Sequence, residues 1–324
     1  MRQTDSEKHM LITGGTGFFG KSILRYLYQL DDIGTKITVL SRDPGVFESS
    51  HPELFKKVGW LEGDIVDLNS LPRDRTFSSI LHAAAESTRG LELRPIERFS
   101  QIICGTENVL RLAVEVGANR FLYVSSGGVY GHVGSHIEKV SEVYSGPLDT
   151  LDSKNTYSLA KRTGEHLCHI FGEEYDLDVV TARCFSFLGP DLPMNVHFAA
   201  GNFMRDAIKG EKIVVHGNGK ALRSYLDQED LARCLLMLLD FGSPSKAYNV
   251  GSDQPISIAD LAVMIRDIVA PEKEVVIQDL APASSTRSFY VPDVSRIRHD
   301  LGFLPRYELR DAIIRMATAL KRVS

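Results

Sequence analysis

The stretch "LITGGTGFFGKSI" places Gly14, Gly15, Gly17 and Gly20 between a short apolar run and an amphipathic segment. A strand before such a loop and a helix directly after it is the context in which the glycines carry meaning. Backbone without side chains can approach a pyrophosphate, whose charge then meets the amides and the positive dipole end of the helix. Gly14, Thr16, Gly17, Phe18, Phe19 and Gly20 are therefore candidate dinucleotide contacts. Roughly twenty residues on, an acidic residue at the end of the second strand would clamp the ribose hydroxyls of NAD. This chain has Ser41 and Arg42 there, in "TVLSRD". An aspartate would repel a phosphate, whereas a guanidinium offers it a planar fork of donors. The pattern favours NADP(H), with NAD(H) possible; the plainer alternative is a surface arginine near Asp43.

A second stretch, "TYSLAKRTGEH" (Thr156 to His166), sets Tyr157 and Lys161 four positions apart in an otherwise ordinary amphipathic helix. At that spacing the two side chains stand on one helical face, the lysine one turn beyond the tyrosine. Such pairs are common on half-exposed helices, so spacing alone leaves their role open.

The elements that must position these residues follow from periodicity. "HMLIT", "TKITVLS", "VGWLEGD", "SSILHAAA", "RFLYVSS" and "LDVVTARCF" read as strands. Between them, helical patterns run through "FGKSILRYLYQL", "IERFSQIICGTENVLRLAVEVG" and the "YSLAK" stretch. Regular alternation of strand and helix implies crossover connections and a parallel sheet covered on both faces. After Gly189-Pro190 the rhythm loosens. Helices are expected over "HFAAGNFMRDAIKG", "DQEDLARCLLMLLDF", "SIADLAVMIRDIV", "VSRIRHDLG" and "LRDAIIRMATAL", with strands at "KIVVHG" and "AYNVG".

The 324 residues, 43% hydrophobic and 24% charged, have the composition of a globular protein with room for a full core. A formal charge of -5 with scattered basic residues argues against nucleic acid as a partner. No apolar run approaches membrane-spanning length, and the polar start "MRQTDSEKHM" lacks the apolar core of a signal peptide; a cytoplasmic location is expected. Cys104, Cys168, Cys184 and Cys234 show no CxxC pairing and each lies in an apolar segment, so four buried, reduced thiols are expected. The histidines and carboxylates show no metal-ligand spacing, and no metal is expected.

In order and approximate spacing, "TGGTGFFG", "EGDIVD", "HAAAES", "YVSSGGVYG" and "YSLAK" resemble the extended branch of the short-chain dehydrogenase/reductase superfamily, in particular its nucleotide-sugar epimerases, dehydratases and reductases. The later stretches "ARCFSFLGP", "GNGKALRSYLDQEDLA" and "VPDVSRIRHDLGF" look like that branch's second half. The resemblance implies an α/β fold: a doubly wound parallel-sheet Rossmann domain over 1–188, with a return segment near 217–252. A smaller α/β C-terminal substrate domain, binding the nucleotide-diphosphate sugar, is expected over 189–216 and 253–324. It assigns Tyr157 as catalytic acid/base, Lys161 as its partner and Ser126 as the hydroxyl that orients the substrate. Tyr157 and Lys161 are also expected beside the cofactor, Asp64 and Ile65 beside its adenine, and Ala83, Ala84 and Ala85 along its ribose and phosphates. Substrate contacts are expected from Ser87, Thr88, Ser186, Asn202, Arg223 and Arg287, and a homodimer through the two long helices is implied.

The chemistry agrees with that assignment. A free tyrosine has a pKa near ~10, so service near neutrality requires its phenolate to be favoured by about 3 units, roughly 4 kcal/mol. A lysine ammonium nearby supplies the right sign. Relatives that eliminate water carry an Asp-Glu pair directly after the catalytic hydroxyl residue, and decarboxylases usually keep the Glu; here those places are Gly127 and Gly128. Reduction and epimerisation remain, and Arg42 tilts the expectation to an NADPH-dependent reductase of a nucleotide-linked 4-keto-6-deoxy sugar. A 4-epimerase retaining its NAD(P) is the alternative; a 4,6-dehydratase or a non-catalytic dinucleotide sensor ranks lower. Two departures stand out: Ser186 and Ile102 occupy places where relatives carry asparagine.

Overall fold

The computed structural model describes residues 8–30, 34–85, 93–134, 136–278 and 289–323. In chain order the first elements are β1 (His9–Thr13), α1 (Phe18–Tyr28), β2 (Lys36–Ser41), α2 (Pro44–Ser50), α3 (Pro52–Phe55), β3 (Gly59–Glu62), β4 (Ser79–His82), α4 (Pro95–Glu115), β5 (Arg120–Ser126), α5 (Thr156–Tyr175) and β6 (Asp178–Cys184). There follow β7 (Phe187–Leu188), α6 (Ala199–Lys209), β8 (Ile213–His216), β9 (Leu222–Arg223), β10 (Leu226–Asp227), α7 (Gln228–Phe241) and β11 (Lys246–Val250). The chain ends with β12 (Ile256–Ser257), α8 (Ile258–Val269), β13 (Val275–Gln278), β14 (Phe289–Tyr290), α9 (Ser295–Leu301) and α10 (Leu309–Val323).

One seven-stranded sheet has the order β11-β6-β5-β4-β1-β2-β3. Parallel pairs join β1 to β2, β1 to β4, β2 to β3 and β4 to β5, with Thr13 opposite both Leu40 and His82. Leu11, Ile12, Val39, Ile80, Leu81, Phe121 and Leu122 are fully enclosed. Burial on both faces explains why these strands read as continuous apolar runs rather than alternating ones. Strand order reverses at β1, between β2 and β4, and in such sheets ligands bind where the carboxyl ends of the strands part.

The chain divides into two compact units. The first comprises Met1–Val129, Leu148–Arg183 and Ala232–Tyr248. Within it α4 packs along α5. The buried face of α5 carries Ala160, Gly164, Cys168 and Phe171, with Lys161 among them. The second comprises Tyr130–Pro147, Cys184–Leu231 and Asn249–Ser324. It holds the two-stranded pairs β7-β10 and β8-β13 and the three-stranded β12-β9-β14. Its distant pieces are joined by Asn249, whose side-chain amide donates to the carbonyls of Val140 (2.8 Å) and Asp293 (2.9 Å) and accepts from the Tyr130 hydroxyl at 2.6 Å. Asp253 adds a charged joint. Burial pushes its carboxyl up, but hydrogen bonds from Arg298 and Lys139 outweigh burial and hold it at about 2.

One cysteine corrects the sequence expectation. Cys168, Cys184 and Cys234 are buried, but Cys104 is exposed. On α4 the inward stripe is Ile102, Gly105, Thr106 and Val109, and Cys104 falls on the opposite side of that helix. Among the described residues, no helix is long and apolar enough to cross a membrane.

Candidate active site

In the first unit, Gly14, Thr16, Gly17, Phe18, Phe19, Ser41, Arg42, Asp64, Ile65, Ala83, Ala84 and Ala85 line a single cleft of about 320 Å³. These residues are among the dinucleotide contacts expected from the sequence; Tyr157 and Lys161, expected beside the same cofactor, do not line this cleft. The cleft also takes in Leu40, Gly63 and Gln101, which the sequence reading missed.

Local geometry explains how the loop is held open. Gly14 turns with φ +77°, and a Cβ on it would lie 2.6 Å from the Ala84 amide nitrogen, so the loop lies flat against the end of β4. Gly20 does not line the cleft but packs behind it: a Cβ there would lie 2.2 Å from the Gly15 Cα. Helix α1 begins after Gly17 with no side-chain cap and no acidic residue in its first turn. Its positive end is thus left uncompensated at the cleft, which suits a bound anion. Behind the loop, His82 Nδ1 meets Thr13 Oγ1 at 2.7 Å and Nε2 meets Thr106 Oγ1 at 3.2 Å. Complete burial, with the Lys161 charge adding to it, lowers the His82 pKa to about 3 and keeps the imidazole neutral.

At the end of β2, Ser41 is half-buried and Arg42 exposed at the cleft's edge. The Asp43 carboxylate is turned to α2, where it accepts from the Val46 amide at 3.0 Å. Gln101 lines the same cleft, and its side-chain oxygen is enclosed without a hydrogen-bond partner. A dinucleotide, with its ribose hydroxyls and amines, could supply the missing donor. Glycine loop, bare helix end and orphaned acceptor all fit such a ligand.

Ser126 closes β5, and the Gly128 amide donates to its Oγ at 3.1 Å. A Cβ on Gly128 would lie 3.4 Å from Ser126 Oγ and 2.8 Å from Ser158 Oγ. The end of β5 and the first turn of α5, which carries Tyr157, therefore meet at this glycine. One turn on, Lys161 is only 3% exposed; its ammonium donates to the Val124 carbonyl at 2.7 Å and lies 4.7 Å from the Tyr123 ring centroid. Such burial fixes a long side chain that would otherwise be mobile. Tyr157 is half-buried, with the Arg98 guanidinium 4.5 Å from its ring centroid. Beneath Ser126, Glu165 accepts from the Ser125 hydroxyl at 2.6 Å and pairs with Arg183 at 2.7 Å.

The second unit holds Ser186, Asn202 and Arg223. The Ser186 carbonyl accepts from the Leu226 amide. Asn202, on α6, donates to the Val196 carbonyl at 2.8 Å and accepts from Arg205 at 3.2 Å. Arg223, on β9, lies over the Tyr290 ring at 5.8 Å; burial depresses its pKa, with Tyr225 and Tyr290 opposing. Ser87, Thr88 and Arg287 fall outside the described residues.

The family model described as the NAD dependent epimerase/dehydratase family matches residues 10–251. The chain belongs to that family. UDP-glucuronic acid decarboxylase 6 of Arabidopsis thaliana is 26% identical over 311 residues, covering 95% of this chain and 87% of that protein. A UDP-glucose 4-epimerase from Thermotoga maritima, solved with UDP-glucose, superposes with a TM-score of 0.83 at 21% identity, covering 97% of this chain and 99% of that one. A dTDP-glucose 4,6-dehydratase from Bacillus anthracis, solved with NAD, gives 0.79 at 20% identity, with 97% of each chain covered. These two likenesses show the fold. An enzyme of this family works with a nicotinamide dinucleotide.

Proposed function

We propose that the protein is an NADPH-dependent reductase acting on a nucleotide-linked 4-keto-6-deoxy sugar. The first unit holds the dinucleotide and the second the nucleotide diphosphate, Arg223 supplying a cationic fork. The observation that carries the choice of dinucleotide is the wall at the end of β2, where a hydroxyl and a guanidinium stand in place of a carboxylate. Ser41 and Arg42 there suit a 2′-phosphate. A reductase consumes a fresh reducing equivalent each turnover, which the phosphorylated dinucleotide serves.

When bound, the reduced nicotinamide supplies the hydride that reaches C4. Ser126 Oγ holds the sugar O4 and steadies the charge that develops on it. Tyr157 Oη gives that oxygen its proton, and Lys161, fixed by the Val124 carbonyl, favours the phenolate left behind. The residues after Ser126 weigh against elimination or decarboxylation, since Gly127 and Gly128 offer no carboxylate. A glutamate at 128 would also have to displace the Ser158 hydroxyl. In this reading the enzyme is a cytoplasmic homodimer.

The test is incubation with NADPH and a panel of nucleotide-linked 4-keto-6-deoxy sugars, with UDP-glucuronic acid in a separate arm. Stoichiometric NADPH oxidation supports the reductase. Interconversion of two sugars without net oxidation establishes a 4-epimerase, carbon dioxide release from UDP-glucuronic acid a decarboxylase, and binding without consumption across the panel a sensor.

A further inference from the structure

Arg98 has no role in the scheme above, yet it touches its central residue. It stands in the first turn of α4, and its guanidinium carbon lies 4.5 Å from the centroid of the Tyr157 ring, while its Nε is enclosed by protein. The neighbouring acid on α4, Glu97, is engaged by Arg94 through bonds of 2.8 and 2.5 Å. We infer that Arg98 is a positioning residue: it holds the Tyr157 ring by its face and joins Lys161 in favouring the ionised phenol, so that the acid/base is charged from two helices. The inference rests on the reading of Tyr157 as the acid/base.

A cation over an aromatic face is attracted to the ring's negative quadrupole. Ionising the phenol adds a full negative charge to the same ring, so the attraction grows and the phenolate gains more than the phenol. From α5 itself, Lys161 contributes a second positive charge one turn on, although its ammonium is shared with the Val124 carbonyl and the Tyr123 face. From β5, the Tyr123 phenol is kept neutral, its pKa raised well above the ordinary value chiefly by burial. Glu165, further along α5, is held by Arg183 and Ser125. Among the described residues, Glu97 and Glu165 are thus each held by an arginine, while Arg98 lies over the Tyr157 ring and Lys161 stands one turn further along α5.

Tyrosine labelled with carbon-13 at Cζ reports each phenol's titration by NMR in the dinucleotide-free protein, and Tyr157→Phe identifies the Tyr157 signal by its loss. In the wild type that signal should titrate below the free-phenol value of about 10. Arg98→Met, which keeps the aliphatic stem, should raise the midpoint by about 0.5–1.5 pH units, the equivalent of a cation–π contact between exposed and desolvated strengths. Arg98→Lys should leave it within about 0.3 units, because the charge is retained. If Arg98→Met disturbs the other tyrosine signals, Arg98→Gln replaces it as the uncharged variant. An unchanged midpoint without the charge overturns the inference while leaving Tyr157 as the acid/base. A wild-type midpoint at the free value removes the acid/base reading itself.

Discussion

His82 makes the cleft's foundation acid-sensitive, by an amount that follows from its surroundings. The imidazole lies at the end of β4 between Thr13 and Thr106, wholly buried, with its pKa lowered to about 3. In the unfolded chain it titrates near 6.5. Because the folded pKa lies below the unfolded one, the unfolded state binds the extra proton first as pH falls, and stability is lost from about 6.5 downward until the folded imidazole also titrates. At pH 5 the unfolded chain is favoured by about 2 kcal/mol through this group, against less than ~0.1 kcal/mol at pH 7.5. The substitution His82→Asn removes the titration while keeping an amide able to meet Thr13. Denaturant unfolding at pH 7.5 and pH 5 measures the effect. The variant should be less stable at pH 7.5, by roughly 1–3 kcal/mol for the lost packing, yet should lose about 2 kcal/mol less than the wild type on going to pH 5. An identical loss in both proteins would refute the claim that His82 is held neutral behind the glycine loop.

Other substitutions probe the cleft and its rim. Tyr157→Phe should lower turnover by roughly a hundredfold or more and leave dinucleotide affinity nearly intact by calorimetry; retained activity ends the proton-transfer assignment. Arg42→Ala should weaken NADPH about ten- to a hundredfold, the worth of a charge-assisted hydrogen bond, with little change for NADH; equal losses on both would contradict the phosphate reading. Gln101→Leu should act in opposite directions. Removing an enclosed acceptor that lacks a partner should raise the stability of the ligand-free protein by up to about 1 kcal/mol, while dinucleotide binding weakens roughly tenfold. Unaltered binding would show that Gln101 accepts nothing from the ligand.

The parts of this architecture that the sequence carried were those with a period. β5 begins and ends at the expected residues, Arg120 and Ser126, because a doubly buried strand is a continuous apolar run bounded by polar ones. The glycine loop was legible for a different reason: its strand and helix neighbours are local. Strands β7, β9, β10, β12 and β14 have two residues each, too short to show alternation. β13, within "EKEVVIQDL", was also missed, since its pairing with β8 comes from over fifty residues away. Nothing in "GHVGSHIEKVSEVYSGP" signals that Tyr130–Pro147 belongs with the second unit. That follows from bonds such as Asn249 to Val140, 109 positions apart. Arg98 and Gln101 were hidden on a helix read only by its apolar stripe, where a polar residue facing a cleft looks the same as one facing water.

The most direct measurement uses NADPH carrying deuterium at the transferable position of its nicotinamide, mixed with a nucleotide-linked 4-keto-6-deoxy sugar. Mass spectrometry and proton NMR of the product should find one deuterium at C4 for each NADPH consumed, with the signal abolished in the Tyr157→Phe protein. An unlabelled 4-hydroxy product, or label spread between two interconverting sugars with no NADPH consumed, would contradict the account.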